Sequence, residues 1–504
     1  MKYTRNLWPL VVVISLISNK LVANNIQVDH VRLTEQNIAN QFTKIVFDLS
    51  WENSWRYDVG PANWDAAWVF AKFRIANGPW QHASINYVNG NASTDGHTEP
   101  LGATLTTPAD EKGVFIYRSG TGDGDISWED IKLQWNYGAD GVGNNAFVDV
   151  EVFAIEMVYV PQGAFLLGGG NGAEVGKFFE YVGPVNISQP YQIGSEALIA
   201  VGTSPGDLYY PSPATQDAGD QLGPIPSLFP KGYDAFYCMK YEVSQEQWTS
   251  FFNLLTPTQQ LSNDITDLDH RGPNSMDRNT LNWDGISGIS TQNPSTPLSF
   301  PLWGEVLAYT DWAGLRPMTE LEFVKACRGP LLPVVEGYAW GTPNIIDPSY
   351  TYDLLNKASD AELLTNHADG IGNANWINSA IFEDGPYRTG IFAASANTQG
   401  RREDAGASYY GIMELSGNLN EMAVTVGTPQ GRAFIGNHGD GLLLSTGEAD
   451  VIGWPPITGE CGGLFGGSWF SQAESLWIND RRNATKGNVG YFNDVGFRCV
   501  RTAP

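Results

Sequence analysis

The sequence predicts an α+β protein: an all-β sandwich domain in the N-terminal part, followed by a larger mixed domain with many irregular loops. Three observations carry this expectation. Six period-2 runs of β-branched and aromatic residues fill positions 26–155. Helix-start patterns appear only from Ser244 onward. Glycine (56 residues) and proline (29) punctuate the rest of the 504-residue chain, whereas charged residues make up only 17% of it.

In chain order, Lys2 and Arg5, an apolar run from Leu7 to Ile17 and the small residue Ala23 read as a secretory signal peptide over 1–23. The run is shorter than the roughly twenty apolar residues that span a bilayer, so no membrane insertion is expected. Ile26–Leu33, Lys44–Trp51, Trp68–Ile75, Gly113–Arg118, Ile131–Tyr137 and Ala146–Ile155 read as the strands of a sandwich domain over 24–155. Trp51, Trp55, Trp64, Trp68, Trp80, Trp128 and Trp135 crowd this segment, as core or as a sugar-stacking platform.

The second domain is expected over 156–504, with 170–232 as a loop-rich insertion of Gly, Pro, Ser and Asp. Ser244-Gln245-Glu246-Gln247 is a capping box that starts a helix towards Leu254. A second helix spans Leu302–Trp312 and stops at Gly314, and Thr319-Glu320-Leu321-Glu322 caps a third that runs towards Cys327.

The formal net charge of −26 opposes binding to nucleic acid or anionic lipid, which both need a basic surface. It suits calcium sites built from carboxylates, and equally simple solubility outside the cell. Export makes Cys238, Cys327, Cys461 and Cys499 candidates for two disulfides, and the sequence leaves all three pairings open.

Several motifs recur in a known order: Val160-Pro161-Gln162-Gly163-Ala164-Phe165, Leu315-Arg316-Pro317, Tyr338-Ala339-Trp340-Gly341, Gly466-Gly467-Ser468-Trp469, Arg481-Arg482-Asn483 and Gly496-Phe497-Arg498-Cys499. Over about 155–504 the chain resembles the formylglycine-generating enzyme, or sulfatase-modifying factor, family. The resemblance implies a C-type-lectin-like fold. It also implies a site where two cysteines hold copper(I) and activate oxygen, but the matching positions here are Ser471 and Leu476. A soft monovalent ion needs soft ligands, so copper is not expected even though Ser468 matches a serine of that site. Iron enzymes that share the domain use closely spaced histidines, and no two of the six here lie within ten residues.

The resemblance further implies a Cys327–Cys499 disulfide, which leaves Cys238 with Cys461. Gly411–Glu421 resembles the family's calcium segment, implying ligands from Glu414, Gly417, Leu419 and Glu421. A second calcium site would use Asn375, Trp376, Asp384 and Pro386. Ser468, Trp469, Ser471, Trp477, Asn479, Arg482, Tyr491 and Asn493 form a ligand-binding candidate, because aromatic and amide side chains combine stacking with adaptable hydrogen bonds.

The expected protein is exported to the periplasm, cell surface or exterior, and binds an extracellular or envelope protein, peptide or glycan without catalysis. Two other classes stay open. One is a metal-dependent oxidase with a non-standard site, and the other is a structural component of an envelope or secretion assembly.

Overall fold

The computed structural model describes residues 25–184, 189–267, 278–377, 385–396, 401–457, 461–487 and 492–504. The expected signal peptide at 1–23 and the candidates Asp384 and Tyr491 lie outside the described residues. The protein is a mixed α and β structure, with many strands, few helices and long ordered loops.

The first seven principal strands are β1 (Gln27–Asn37), β2 (Phe42–Arg56), β3 (Asp65–Ile75), β4 (Ala103–Thr106), β5 (Val114–Arg118), β6 (Gly122–Trp135) and β7 (Val148–Val160). Later come β8 (Phe236–Met239), β9 (Arg316–Pro317), β10 (Asn420–Val424), β11 (Gly462–Phe465), β12 (Val495–Gly496) and β13 (Cys499–Thr502). One sheet has the order β1–β2–β6. A larger one runs β9–β13–β8–β7–β3–β5–β4, with the short strand Gln81–His82 also paired to β3.

Strand β3 explains how the two parts join. Its residues are apolar on both faces, so both faces must be covered. Ala67, Val69, Ala71 and Phe73 pack with Ile45, Phe47 and Leu133 of the three-stranded sheet. Ala66, Trp68 and Phe70 alternate with them and enter the core of the C-terminal part. Lys72 is the polar exception on that second face. Its buried amino group donates to the carbonyls of Trp312 (2.7 Å) and Gly441 (2.6 Å), which satisfies a polar group that would otherwise be costly to bury.

The expected boundary at 155/156 falls inside β7. This strand pairs with β3 from Val148 to Val158 and with β8 from Met157 to Val160, so one sheet crosses the division and no linker marks it. A buried node reinforces the junction: Lys240 donates to Glu156 at 2.9 Å and lies 3.7 Å from Asp65. Asp65 in turn accepts from Trp51, Ser54 and the Trp55 amide.

The helices α1 (Gln245–Asn253), α2 (Trp303–Trp312) and α3 (Glu320–Arg328) start within a residue of expectation. Ser244 with Gln247, and Thr319 with Glu322, form the two reciprocal capping boxes. The described residues of 170–232 form short pairings, such as Phe179–Glu180 with Leu208–Tyr209 and Tyr191–Ile193 with Phe165–Leu167. Among the described residues, no helix is long and apolar enough to cross a membrane.

The disulfide expectation is corrected. Cys238, Cys327, Cys461 and Cys499 are all buried, and no disulfide joins them. Cys238 on β8 stands opposite Val500 of β13, and strand alternation turns the adjacent Cys499 to the other face, where its sulfur meets Thr310 Oγ1 at 3.1 Å. Cys461 Sγ instead meets the Pro456 carbonyl at 3.5 Å. Burial pushes the Cys461 and Cys499 thiols up to about 12, away from reactive thiolate.

Candidate functional site

Three segments converge on the candidate site: the turn after β11, the start of β10, and Asn493–Asp494 before β12. Gly466 (φ +80°) and Gly467 (φ +65°) are both left-handed, which lets the chain reverse directly after β11. A Cβ on Gly467 would lie 2.5 Å from Leu476 Cδ1, so Leu476 occupies the space that a side chain there would need.

The reversal turns Ser468 inward until it is fully buried. Ser468 Oγ donates to Asp494 Oδ2 at 2.7 Å and lies 2.9 Å from Ser471 Oγ, which also accepts from the Ser468 amide at 3.0 Å. Asp494 Oδ2 accepts from Asn420 Nδ2 at 3.1 Å, and the Asn420 amide donates to the Asp494 carbonyl at 2.9 Å. Two exposed rings lie close in sequence to these residues: Phe470, whose amide reaches Ser468 Oγ at 3.3 Å, is 53% exposed, and Phe492, two residues before Asp494, is 40% exposed.

The other predicted ligand residues separate into two groups. Ser471 and Asn493 are half-buried at the site. Trp469, Trp477 and Asn479 are buried and act in packing. Trp469 Nε1 reaches the Asn493 carbonyl at 3.4 Å, Trp477 packs in a cluster with Leu476, Tyr338, Trp340 and Ala374, and Asn479 Oδ1 accepts from Arg328 at 2.5 Å. Arg482 is half-buried and folds back on Asp480 at 2.8 Å. The buried arginine of this motif is its neighbour Arg481, which pairs with Glu320 at 2.7 Å and lies over the rings of Phe178 and Tyr210. Asp494, Asn420 and Phe492 were not legible as site residues, although Asn493-Asp494 directly precedes the Val-Gly-Phe-Arg-Cys run.

No histidine completes a relay here among the described residues. His30 bonds Asp48, His82 the Lys112 carbonyl, His97 Thr107, His367 Asp369, and His438 the Thr502 amide.

The residues proposed for calcium lie in a buried, tightly turned loop. Glu414 (φ +53°), Gly417 (φ +92°) and Asn418 (φ +69°) are all left-handed. A Cβ on Gly417 would come 2.6 Å from the Asn375 carbonyl, which the Asn418 amide uses at 2.8 Å. Asn375 Nδ2 donates to the Gly385 carbonyl and to Asn418 Oδ1, so the two expected metal segments touch each other. Trp376 lies on the edge of a small apolar cluster, and Pro386 is buried.

Three buried carboxylates surround this loop. Glu421 pairs with Arg498 (Nε–Oε1 2.6 Å), Glu414 Oε1 accepts from the Gly390 amide (3.0 Å), and Glu242 accepts from Asn418 and the Leu419 amide. Glu414 Oε2 and Glu421 Oε2 are buried without a hydrogen-bond partner. Burial pushes Glu414 up to about 7, and burial beside the charge of Glu421 pushes Glu242 well above the usual carboxylate range.

Residues 205–503 match the model of the sulfatase-modifying factor enzyme 1-like domain, and the chain belongs to that family. The match begins later than the resemblance at 155 suggests. The formylglycine-generating enzyme of Bos taurus is 30% identical over 118 residues, which cover 19% of this chain and 32% of that enzyme. The similarity thus spans about a third of the relative's length.

Proposed function

We propose that this protein is an exported, non-catalytic binding protein. Its sulfatase-modifying-factor domain, of C-type-lectin-like type, captures a protein, peptide or glycan at the surface around Ser468, Phe470, Phe492 and Asn493. The N-terminal layer is read as a β-sandwich fused to that domain. One observation carries the proposal: at the two positions where the resemblance places copper-binding cysteines, Ser471 is hydrogen-bonded to Ser468 and Leu476 is fully buried in an apolar cluster. Neither side chain offers a soft donor.

Calcium is proposed as a structural ion. The donors would be the Glu414 and Glu421 carboxylates with the Gly417 and Leu419 carbonyls, and the partnerless oxygens on both carboxylates support this. Arg498 weighs against it, because it already neutralises Glu421. The second set, Asn375, Trp376, Asp384 and Pro386, stands as an ion site on the resemblance alone. Bound calcium would replace the missing partners of Glu414 and fix the loop beneath the binding surface.

The test uses the full-length protein, offered a random-peptide display library and a glycan array, beside an assay with a sulfatase-derived cysteine peptide, copper(I) and oxygen. Retention of a peptide or glycan that Phe470→Ala abolishes supports the proposal. Conversion of the peptide cysteine to an aldehyde would establish an oxidase with a non-standard site. Retention of neither probe, together with co-purification in a large envelope complex, would favour a structural component.

A further inference from the structure

Outside the family match, the N-terminal layer contains a cavity that shares no residue with the surface around Ser468. It measures about 320 Å³ and lies between the end of β1, the start of β2, the end of β6 and the segment 142–148. From these residues we propose that it binds a neutral saccharide of one or two rings.

The lining is mixed, as a sugar ring is: Trp135, Val142 and Val148 are apolar, and Thr34, Gln36, Tyr137 and Asn144 carry polar groups. The polar groups are pre-arranged. Tyr137 Oη donates to Asn144 Oδ1 at 3.0 Å, and Gln36 Nε2 donates to the Asn144 carbonyl at 2.9 Å. These bonds leave an acceptor (Gln36 Oε1) and a donor (Asn144 Nδ2). Such a set matches neighbouring hydroxyls of a pyranose, each of which donates and accepts.

The backbone is shaped to make this lining. The β1–β2 register shifts between Thr34 and Asn37, and Glu35 takes a left-handed φ of +54°. A bulge of this kind frees residues from the ladder and re-aims their side chains, here Gln36 towards Tyr137 and Asn144. The one carboxylate of the lining, Glu35, is paired with Lys132 at 2.5 Å, so the cavity presents no unpaired charge and favours a neutral ligand. Its volume is at the lower end of the roughly 300–1,000 Å³ typical of small-molecule sites, which limits the bound portion to one or two rings.

The test is calorimetry and tryptophan fluorescence on the full chain with cellobiose, maltose, lactose and diacetylchitobiose, with a sulfated disaccharide as the charged control. At least one neutral disaccharide is expected to bind. The double variant Gln36→Ala/Asn144→Ala should weaken it by about tenfold or more at an unchanged melting temperature, because two hydrogen-bonding groups are lost. Phe470→Ala should leave it intact, which separates this site from the one proposed for the C-terminal domain. Immobilised neutral polysaccharide and a desialylated glycoprotein, run as two further arms, distinguish a structural polysaccharide from a protein-borne glycan. Lack of binding to every neutral saccharide, preference for the charged control, or binding that survives the double variant would each overturn the proposal.

Discussion

Ser468 and Ser471 share a hydrogen bond of 2.9 Å, and Ser468 passes its own proton towards Asp494 at 2.7 Å. Two hydroxyls and a carboxylate thus close a polar floor where the resemblance places the first of two thiolates. Asp494→Asn should keep the fold but reorganise this floor, since an amide can present a donor where the carboxylate only accepts. Ligand retention is expected to fall while the melting temperature stays within a few degrees. Unchanged retention would remove Asp494 from the site.

The exposed and the buried ring should separate in mutagenesis. Phe470→Ala removes an exposed ring and is expected to change stability by no more than about 0.5 kcal/mol while weakening binding. Trp469→Ala removes a buried ring and should cost about 3–5 kcal/mol. Urea titration of both variants checks the contrast. Equal losses would mean that Phe470 is a packing residue.

Leu476 fills the space beside Gly467 and lies in a closed apolar cluster. Leu476→Ala is expected to destabilise by about 2–5 kcal/mol through lost burial and a residual cavity. A change below about 1 kcal/mol in equilibrium unfolding would show that the pocket collapses without penalty, and would reopen this position to ligands.

Protonation of Glu414 gives a pH signature. Burial holds its carboxyl at about 7, so the folded chain binds this proton more tightly than the unfolded chain. Its contribution to stability is complete below the unfolded value near 4.5, declines as pH rises towards 7 and is gone above it. Asp311, pushed up to about 7 by burial and the nearby Asp440, has the same sign. The difference between wild type and Glu414→Gln, measured by urea unfolding at about pH 5 and about pH 7.5, isolates Glu414. Identical slopes for the two proteins would refute the raised value. Added calcium should reduce the difference if it binds there, because a divalent charge favours the ionised carboxylate.

The buried thiols make a direct prediction about covalent state. All four cysteines should resist a thiol reagent in the folded protein and all four should react after denaturation. Detection of two reactive thiols after denaturation would mean that one disulfide forms, and detection of none would mean two.

The sequence by itself determined six strands, three helices and the family of the C-terminal part. Runs of β-branched and aromatic residues located β1–β3 and β5–β7, because such side chains pack well on a pleated sheet. Ser244 and Thr319 located α1 and α3, because a capping box satisfies local backbone donors without help from the rest of the chain. The ordered Gly-Gly-Ser-Trp and Gly-Phe-Arg-Cys motifs identified the domain.

Only the tertiary structure decided what depends on neighbours distant in the chain. It carried one sheet through β7 where a domain boundary was expected, since β8 pairs with the far end of that strand. It placed Trp469, Trp477 and Asn479 in packing and brought Asp494 and Asn420 to the site. It also left the four cysteines buried and unlinked. Local patterns encode conformations within a few residues, whereas burial and partnership are properties of pairs that the sequence keeps far apart.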